Sequence, residues 1–189
     1  MTTEQLEIIY QDDHLVAVNK PSGLLVHRSM IDKHDTRFAL QLVRNQIGQR
    51  VYPVHRLDKP TSGVLLFALD SETARLLGEQ FTADAVQKQY LAVVRGYTAE
   101  HEVIDYPLKL QLDKMTDALA DPDKQAQEAV TEYIRLTIAE LPLPVGRYET
   151  ARSSSLQLMP KTGSKHQLRR HMKHIVTSIA GDTPHGDGR

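Results

Sequence analysis

The 189-residue sequence contains no cysteine. This absence excludes disulfides, a thiolate nucleophile and zinc or iron–sulfur centres ligated by cysteine. A long apolar run is also absent, since the longest one, residues 64–69, is far too short to cross a bilayer. The first residues, "MTTEQLEIIYQDDH", lack the basic start and apolar stretch of a signal peptide. Together these absences predict a protein of the reducing cytoplasm that does not associate with membranes.

The net charge of −1 conceals an uneven distribution of charged side chains. Residues 100–140 contain ten Asp or Glu and four Lys or Arg, whereas residues 161–189 contain six Lys or Arg, two Asp and four His. A basic C-terminal face is typical of an enzyme that acts on RNA or DNA. It is equally typical of a solvated basic helix, so charge alone does not decide between the two.

The pattern of apolar residues predicts strands and helices that do not alternate in a regular βαβ order. Strands are indicated by short apolar or alternating runs, at residues 6–20 as a hairpin and at 64–69, 88–96, 129–141 and 155–160. Helices are indicated by apolar residues three or four apart, at 35–48, 70–81 and 165–175. A polar excursion is predicted at 113–127 and a long loop at 142–155. This order predicts an α+β fold with a mixed, mainly antiparallel sheet and flanking helices.

Several familiar motifs do not fit. "TGSK" at 162–165 has the wrong order for a phosphate-binding loop, and Ser62 in "PTSG" lacks the preceding glycine of a nucleophile elbow. His166, His171 and His174 could suggest a metal site. On a helix, however, His166 and His171 point in different directions, and no third ligand can be named beside His171 and His174. No metal site is therefore predicted.

Four stretches carry the remaining chemical side chains. "HRLDKPTSG" contains Asp58, "KQY" contains Tyr90, "KTGSKHQLRRH" contains Arg169, and "IAGDTPHGD" lies near the end of the chain. Taken singly, each has an ordinary explanation. Asp58 could stabilise a turn, Tyr90 could be a half-buried strand residue, and Arg169 could bind a phosphate from an exposed helix.

Taken together, the four stretches resemble the motifs of the RluA-type pseudouridine synthases. The resemblance begins at the first hairpin, "IIYQDDHLVAVNKPSG", and extends over residues 8–187. It implies the pseudouridine synthase catalytic fold and an isomerase that converts uridine to pseudouridine in RNA. The reaction is redox-neutral and transfers no external group, so no cofactor is expected.

The finer motifs indicate a branch of this family. "VHRSM", "RNQIGQ" and "VHRLDKPTSGVLL" look most like the branch that modifies uridine 65 in the acceptor arm of tRNA. A ribosomal RNA target remains the alternative. Residues 1–189 are expected to form a single catalytic domain, acting as a monomer, without an S4-type RNA-binding domain and without the C-terminal segment usual in the family. The missing segment leaves open a truncated, catalytically impaired form that only binds RNA.

The resemblance also assigns catalytic roles. Asp58 would be the nucleophile, and an aspartate is ionised at neutral pH without an activating base. It could attack C1′ or C6, or remove a proton from C2′ to give a glycal, and the sequence does not choose. Arg169 would pair with Asp58 and favour the ionised carboxylate. Tyr90 would stack on the flipped uracil and help to remove the proton on C5.

Other residues are expected to bind the substrate. His55, Arg56 and Leu168 would hold the motif or line the pocket of the flipped nucleotide. Phosphate contacts would come from basic residues of the last helix region, namely Lys161, Lys165, Arg170 and Lys173. A base-excising glycosylase is a further alternative, but as a retaining hydrolase it would need a second carboxylate near Asp58. Asp182 is the only motif-borne candidate.

Overall fold

The computed structural model describes residues 5–27, 37–109, 125–144 and 149–185. These residues fall into two compact units, an N-terminal unit that extends to Ala85 and a C-terminal unit that begins at Val86. Most of the predicted excursion, residues 113–124, lies outside the described residues. No helix in the described ranges has both the length and the apolar character needed to cross a membrane.

The N-terminal unit contains a four-stranded antiparallel sheet with the order β1-β2-β4-β3. The strands are β1 (Glu7–Gln11), β2 (Leu15–Lys20), β3 (Tyr52–Pro53) and β4 (Gly63–Ala68). In the register of β2 and β4, Lys20 at the end of one strand pairs with Gly63 at the start of the other. The loop that contains Asp58 joins β3 to β4 and therefore approaches the turn that follows β2.

Two helices accompany this sheet. Helix α1 (Ala39–Ile47) ends at Gly48, which has a φ of 72°, a left-handed conformation that glycine adopts without strain. Helix α2 (Ser71–Thr82) begins at Asp70, whose Oδ1 accepts a hydrogen bond from the Thr73 N–H at 2.7 Å. The core is formed by apolar side chains of β2, β4 and α1, including Val16, Val18, Val43, Leu65 and Phe67.

The C-terminal unit contains a second antiparallel sheet with the order β5-β8-β7-β6. Its strands are β5 (Tyr90–Arg95), β6 (His101–Asp105), β7 (Val130–Leu141) and β8 (Ala151–Pro160). Helix α3 (Gln167–His174) packs on this sheet through Met172, which is fully buried. Around Met172 lie the other core side chains, Val94, Ile104, Tyr133, Leu156 and Leu158.

After α3, the chain returns to the edge of the second sheet. The Arg95 N–H donates to the carbonyl of Ser178 at 3.0 Å, and the Ala180 N–H donates to the carbonyl of Val93 at 2.8 Å. A short 3-10 helix, Thr183–His185, follows. The segment that contains Asp182 is therefore fixed beside β5, the strand that begins at Tyr90.

The predicted α+β class and the mainly antiparallel pairing are confirmed. Two boundaries were wrong. Helix α1, predicted at 35–48, begins at Ala39 after the extended Phe38. Strand β8 begins at Ala151 and includes part of the predicted loop at 142–155. Its serines pair with strands on both sides, as Ser155 does with Val93 and Thr137. Pairing on two sides outweighs the weak strand propensity of a serine run. The short strands β3 and β6 were not predicted.

Candidate active site

The loop that contains Asp58 is held by hydrogen bonds to its backbone. The Thr61 N–H donates to the carbonyl of Asp58 at 3.0 Å and closes a turn. The Gly23 N–H donates to the carbonyl of Lys59 at 2.8 Å, and the Ser22 hydroxyl donates to the carbonyl of Pro60 at 2.8 Å. The Asp58 side chain, which is half-buried, takes no part in these bonds. The loop is thus positioned by its backbone and by the turn after β2.

Lys20 is the central anchor of this arrangement, and it was not among the predicted site residues. Its side chain is 0 % exposed. Its ammonium group donates to the carbonyl oxygens of Pro21 at 2.9 Å, Leu24 at 2.7 Å and Lys59 at 3.3 Å. A lysine is rarely buried so completely without such partners. The bond to Lys59 attaches the turn after β2 directly to the residue beside Asp58.

The charge of Lys20 is also coupled to that of Asp58. Burial lowers the pKa of Lys20 to about 8, and the negative charge of Asp58 opposes this by favouring the ammonium form. The two side chains therefore influence one another electrostatically within the N-terminal unit. The sequence signal for Lys20 was a lysine that ends the apolar strand "LVAVNK" immediately before Pro-Ser-Gly.

His55 and Arg56 precede Asp58 and differ in their surroundings. The His55 ring stacks on Phe81 of α2, with ring centroids 4.7 Å apart, and its Nε2 accepts a hydrogen bond from the Leu66 N–H at 3.0 Å. His55 therefore attaches the loop to both β4 and α2. Arg56 is exposed, and its charge adds to burial in lowering the pKa of His27. These contacts favour the holding role for His55.

Gly63 ends the loop with a backbone conformation that explains the last residue of the "TSG" motif. Its φ is 124°, which side chains with a Cβ rarely adopt. The glycine allows the chain to turn from the Asp58 loop into β4, where Gly63 pairs with Lys20. The glycine of the motif therefore supplies the backbone conformation with which the Asp58 loop enters β4.

In the C-terminal unit, Arg169 forms a paired hydrogen-bond contact with Asp182. The Arg169 Nε donates to Oδ2 at 2.9 Å and Nη2 donates to Oδ1 at 2.6 Å. Both side chains are largely buried, with 14 % of Arg169 and 5 % of Asp182 exposed. Burial opposes ionisation of the carboxyl, but the bonds and charge of Arg169 outweigh it and keep the pKa of Asp182 below its usual value.

Tyr90 and Leu168 lie in the same unit and contact its core. Tyr90 is the first residue of β5, is half-buried and pairs with Leu158 of β8. Leu168 is partly buried and packs against the same core cluster from α3. Both side chains therefore pack against the core of the unit and remain partly exposed.

The predicted phosphate-binding residues differ in how far they are already engaged. The Lys161 ammonium lies 2.7 Å from a carboxylate oxygen of Glu132, and the Arg170 Nη2 donates to the carbonyl of Lys109 at 2.8 Å. Lys165 and Lys173 are exposed. Lys173, in the last turn of α3, therefore offers the most accessible charge on the helix itself.

A buried hydrogen-bond network below α3 was not predicted from the sequence. The His171 side chain is fully buried, with Nε2 at 3.0 Å from the carbonyl of Tyr106 and Nδ1 at 2.9 Å from the Thr131 hydroxyl. Because a carbonyl only accepts, Nε2 carries the proton and Nδ1 of the neutral ring accepts from Thr131. Gln167 completes the network by donating to the same hydroxyl and to the carbonyl of Val130.

This network predicts a dependence of stability on pH. Burial lowers the pKa of His171, although its bond to the Tyr106 carbonyl works in the opposite direction. The unfolded chain therefore binds more protons than the folded one below about pH 6.5, and stability falls as the pH decreases. We expect His171→Gln to remove a slope of up to ~1.4 kcal/mol per pH unit from the free energy of unfolding between about pH 6.5 and 5.

Urea unfolding at several pH values measures this slope. His14→Gln is the matched control, because the His14 side chain is 71 % exposed. The pKa of His27 is also lowered, but its contribution is present in the wild type and in both variants. Equal slopes for the wild type and His171→Gln would contradict the prediction.

The comparisons with known proteins identify the family of the chain. The model of the RNA pseudouridylate synthase family matches residues 14–174. The chain belongs to this family of isomerases, which confirms the family predicted from the four motifs. The matched segment includes Asp58, Tyr90 and Arg169, whereas Asp182 lies beyond its end.

Similar curated proteins carry a more specific name. "tRNA pseudouridine synthase C" of Haemophilus influenzae is 62 % identical over 182 residues, which cover 96 % of this chain and 76 % of that protein. The protein of the same name from Pasteurella multocida is 60 % identical over 182 residues, with 96 % and 75 % covered.

Solved structures also resemble the chain. Human RNA Pseudouridylate Synthase Domain Containing 1 has a TM-score of 0.76 at 22 % identity, with 98 % of this chain and 71 % of that one covered. This likeness shows the shared fold. Human RNA Pseudouridylate Synthase Domain Containing 4 has a TM-score of 0.70 at 29 % identity, with 97 % and 70 % covered.

Proposed function

We propose that this chain is a tRNA pseudouridine synthase that isomerises uridine 65. The observation that carries the proposal is the 62 % identity, over 96 % of the chain, to a relative named tRNA pseudouridine synthase C. The position within tRNA rests on the resemblance of "VHRSM", "RNQIGQ" and "VHRLDKPTSGVLL" to the branch that modifies this uridine. A ribosomal RNA substrate is the alternative that the first experiment tests.

The proposed reaction rearranges one nucleotide without an external reactant. The C1′–N1 bond of uridine breaks, the uracil rotates, and a C1′–C5 bond forms. N1 gains a proton and C5 loses one, so that the product is an isomer of the substrate. The target base has to leave its stack before the reaction, at a cost of a few kcal/mol (~2–5). The enzyme therefore has to bind the surrounding RNA as well as the uracil.

Asp58 acts as the nucleophile or as the base that removes the C2′ proton. Its loop is held by hydrogen bonds to the backbone carbonyls of Asp58, Lys59 and Pro60. The negative charge of Asp58 favours the ammonium form of Lys20, whose pKa burial lowers to about 8. Arg169 is the proposed partner of Asp58, and a guanidinium can bind two carboxylates through its two edges.

Tyr90 presents its ring to the flipped uracil and its hydroxyl to the proton on C5. Arg56 and Leu168 contact the flipped nucleotide, while His55 holds the loop through Phe81 and Leu66. Hydrolytic excision of the base is less well supported. Its second carboxylate would be Asp182, which is bound by two nitrogens of Arg169.

We propose that the two units belong to one catalytic domain, which acts as a monomer in the cytoplasm. The absence of cysteine from the whole sequence is consistent with a reducing compartment. Sedimentation equilibrium at micromolar concentration tests the monomer, since a dimer would give twice the 21.3 kDa mass.

Tritium release from C5-labelled, unmodified tRNA tests the function. The expected result is release of one tritium per tRNA, and a U65C transcript should release none. Release from ribosomal RNA fragments but not from tRNA would identify the alternative substrate. Binding of tRNA without release from either RNA would identify the impaired, binding-only form and overturn the proposal.

The exposed basic side chains of α3 predict that the affinity for tRNA depends on the salt concentration. Each phosphate contact contributes about −0.7 to −0.9 to the slope of log K against log salt concentration, because bound counterions are released. We expect Lys173→Gln to weaken tRNA binding several-fold at low salt and to reduce this slope by about one. Filter binding over a series of salt concentrations measures both quantities.

Arg50→Gln is the matched control for this prediction. Arg50 follows α1 in the N-terminal unit and is exposed. Its replacement removes one positive charge without touching α3. If both variants change the slope equally, the effect is one of net charge and the assignment of Lys173 is wrong. An affinity that does not change with salt would also contradict the prediction.

A further inference from the structure

Asp182 binds the Arg169 guanidinium along its Nε–Nη2 edge. It accepts from Nε and from Nη2, at 2.9 and 2.6 Å, which are neighbouring nitrogens on one edge of the guanidinium. A planar guanidinium contacted on this edge directs its Nη1–Nη2 edge in a different, fixed direction. Asp182 therefore fixes the orientation of the Arg169 guanidinium.

Asp182 is itself rigidly placed. Its backbone N–H donates to the carbonyl of Ile179 at 3.1 Å, and its carbonyl accepts from the His185 N–H at 3.2 Å. Nδ1 of His185 lies 3.4 Å from its Oδ1. The preceding Gly181 has a φ of 79°, so the turn that aims Asp182 at α3 needs a residue without a Cβ. This requirement explains the glycine of the "GD" motif.

The segment before Asp182 connects this pair to β5. Residues 178–180 are hydrogen-bonded to Val93 and Arg95, in the strand that begins at Tyr90. The segment that contains Asp182 therefore connects Arg169 on α3 to β5, the strand that begins at Tyr90. The contact is largely buried, with only 5 % of the Asp182 side chain exposed, so solvent does not compete for it.

We propose that Asp182 is a positioning residue that orients the Arg169 guanidinium for pseudouridine formation. The proposal rests on the proposed function, in which Arg169 pairs with Asp58. Asp182 does not touch the uridine. Its carboxylate fixes the rotamer of Arg169 and with it the direction of the Nη1–Nη2 edge. A merely structural salt bridge would instead affect stability and leave the reaction of folded enzyme unchanged.

The test compares Asp182→Asn with the wild type in single-turnover reactions at saturating enzyme, using C5-tritiated tRNA. Asparagine keeps the size of the side chain but presents only one accepting oxygen to Arg169. We expect the rate constant of the folded enzyme to fall about 10- to 100-fold, because a small misplacement of a catalytic group has effects of this size. The dissociation constant for tRNA should change by less than about threefold, since no phosphate contact is removed.

A double-mutant cycle tests whether Asp182 affects the rate constant through Arg169. If Asp182 acts through Arg169, then Asp182→Asn added to Arg169→Gln should lower the rate constant no further. Glu72→Gln is the control for losing an arginine–carboxylate pair elsewhere, because Glu72 pairs with Arg75 at 2.7 Å on α2. Its rate constant should equal that of the wild type.

Each outcome decides the inference. A wild-type rate constant for folded Asp182→Asn, or an additive loss in the double variant, overturns it. If circular dichroism shows that Asp182→Asn does not fold, Asp182→Glu decides, because it keeps the charge but displaces the carboxylate by one methylene. A slower, folded Asp182→Glu supports the inference and an unchanged one overturns it. A wild type that releases no tritium overturns the proposed function first, and this inference with it.

Discussion

Asp58→Asn should lower the rate of tritium release from tRNA by at least ~10⁴-fold, the scale seen when the nucleophile of an enzyme is removed. Asparagine is nearly isosteric with aspartate, but it has no negative charge with which to attack C1′ or C6 or to remove the C2′ proton. A loss of this size corresponds to about 5 kcal/mol of transition-state stabilisation. Single-turnover release with saturating enzyme measures it directly.

The structure gives a reason to expect that this variant folds. The turn around position 58 is closed by the backbone carbonyl of Asp58, and its neighbours are held by backbone atoms and by Lys20. The affinity for tRNA should therefore remain within about threefold of the wild type. Asp13→Asn, an exposed aspartate of the same unit, is the matched control and should keep full activity. Residual release from Asp58→Asn near the wild-type rate would assign the chemistry to another residue.

The second large effect is expected at Tyr90, where two substitutions separate two roles. Tyr90→Phe keeps the ring and removes the hydroxyl, so it should lower the rate about 10²- to 10³-fold if the hydroxyl helps to remove the C5 proton. Tyr90→Ala also removes the stacking surface, worth ~1–3 kcal/mol per base. We therefore expect Tyr90→Ala to have a lower tRNA affinity or a lower rate than Tyr90→Phe.

Tyr97→Phe controls for the loss of a hydroxyl in the same unit. The Tyr97 hydroxyl donates to Glu140 at the surface, so its removal should not change the rate. Burst experiments that follow tritium release and pseudouridine formation separately locate the affected step. If Tyr90→Phe is as active as the wild type, the ring alone is used and the C5 proton leaves to another group. Equal rates for Tyr90→Phe and Tyr90→Ala would exclude a contribution from stacking of the Tyr90 ring on the uracil.

Local sequence signals predicted much of the fold. The helices at 35–48 and 70–81 and the strand at 155–160 were predicted from spacings within a few residues, and each element is found in the structure. The start of β8 was missed because its serines form a strand only by pairing with β5 and β7. Such pairing depends on distant parts of the chain, which local propensity does not report.

The same distinction holds for the candidate site. Asp58, Tyr90 and Arg169 could be predicted because they stand in motifs, and their catalytic roles remain proposals. Lys20 and His171 were not predicted, because their roles arise from contacts between distant parts of the chain. Lys20 contacts Lys59, which is 39 positions away, and His171 contacts Tyr106, which is 65 positions away. A buried lysine or histidine has no local pattern that separates it from a solvated one.

The anchoring of Lys59 by Lys20 and Gly23 also bears on how the chain can be shortened or cut. The opening hairpin looks dispensable in sequence, since it contains none of the proposed catalytic side chains. Deleting β1 and β2, or cleaving the peptide bond after Lys20, would nevertheless release the backbone on one side of Asp58. Limited proteolysis near residue 20 is therefore expected to inactivate the enzyme while every proposed catalytic side chain is still present.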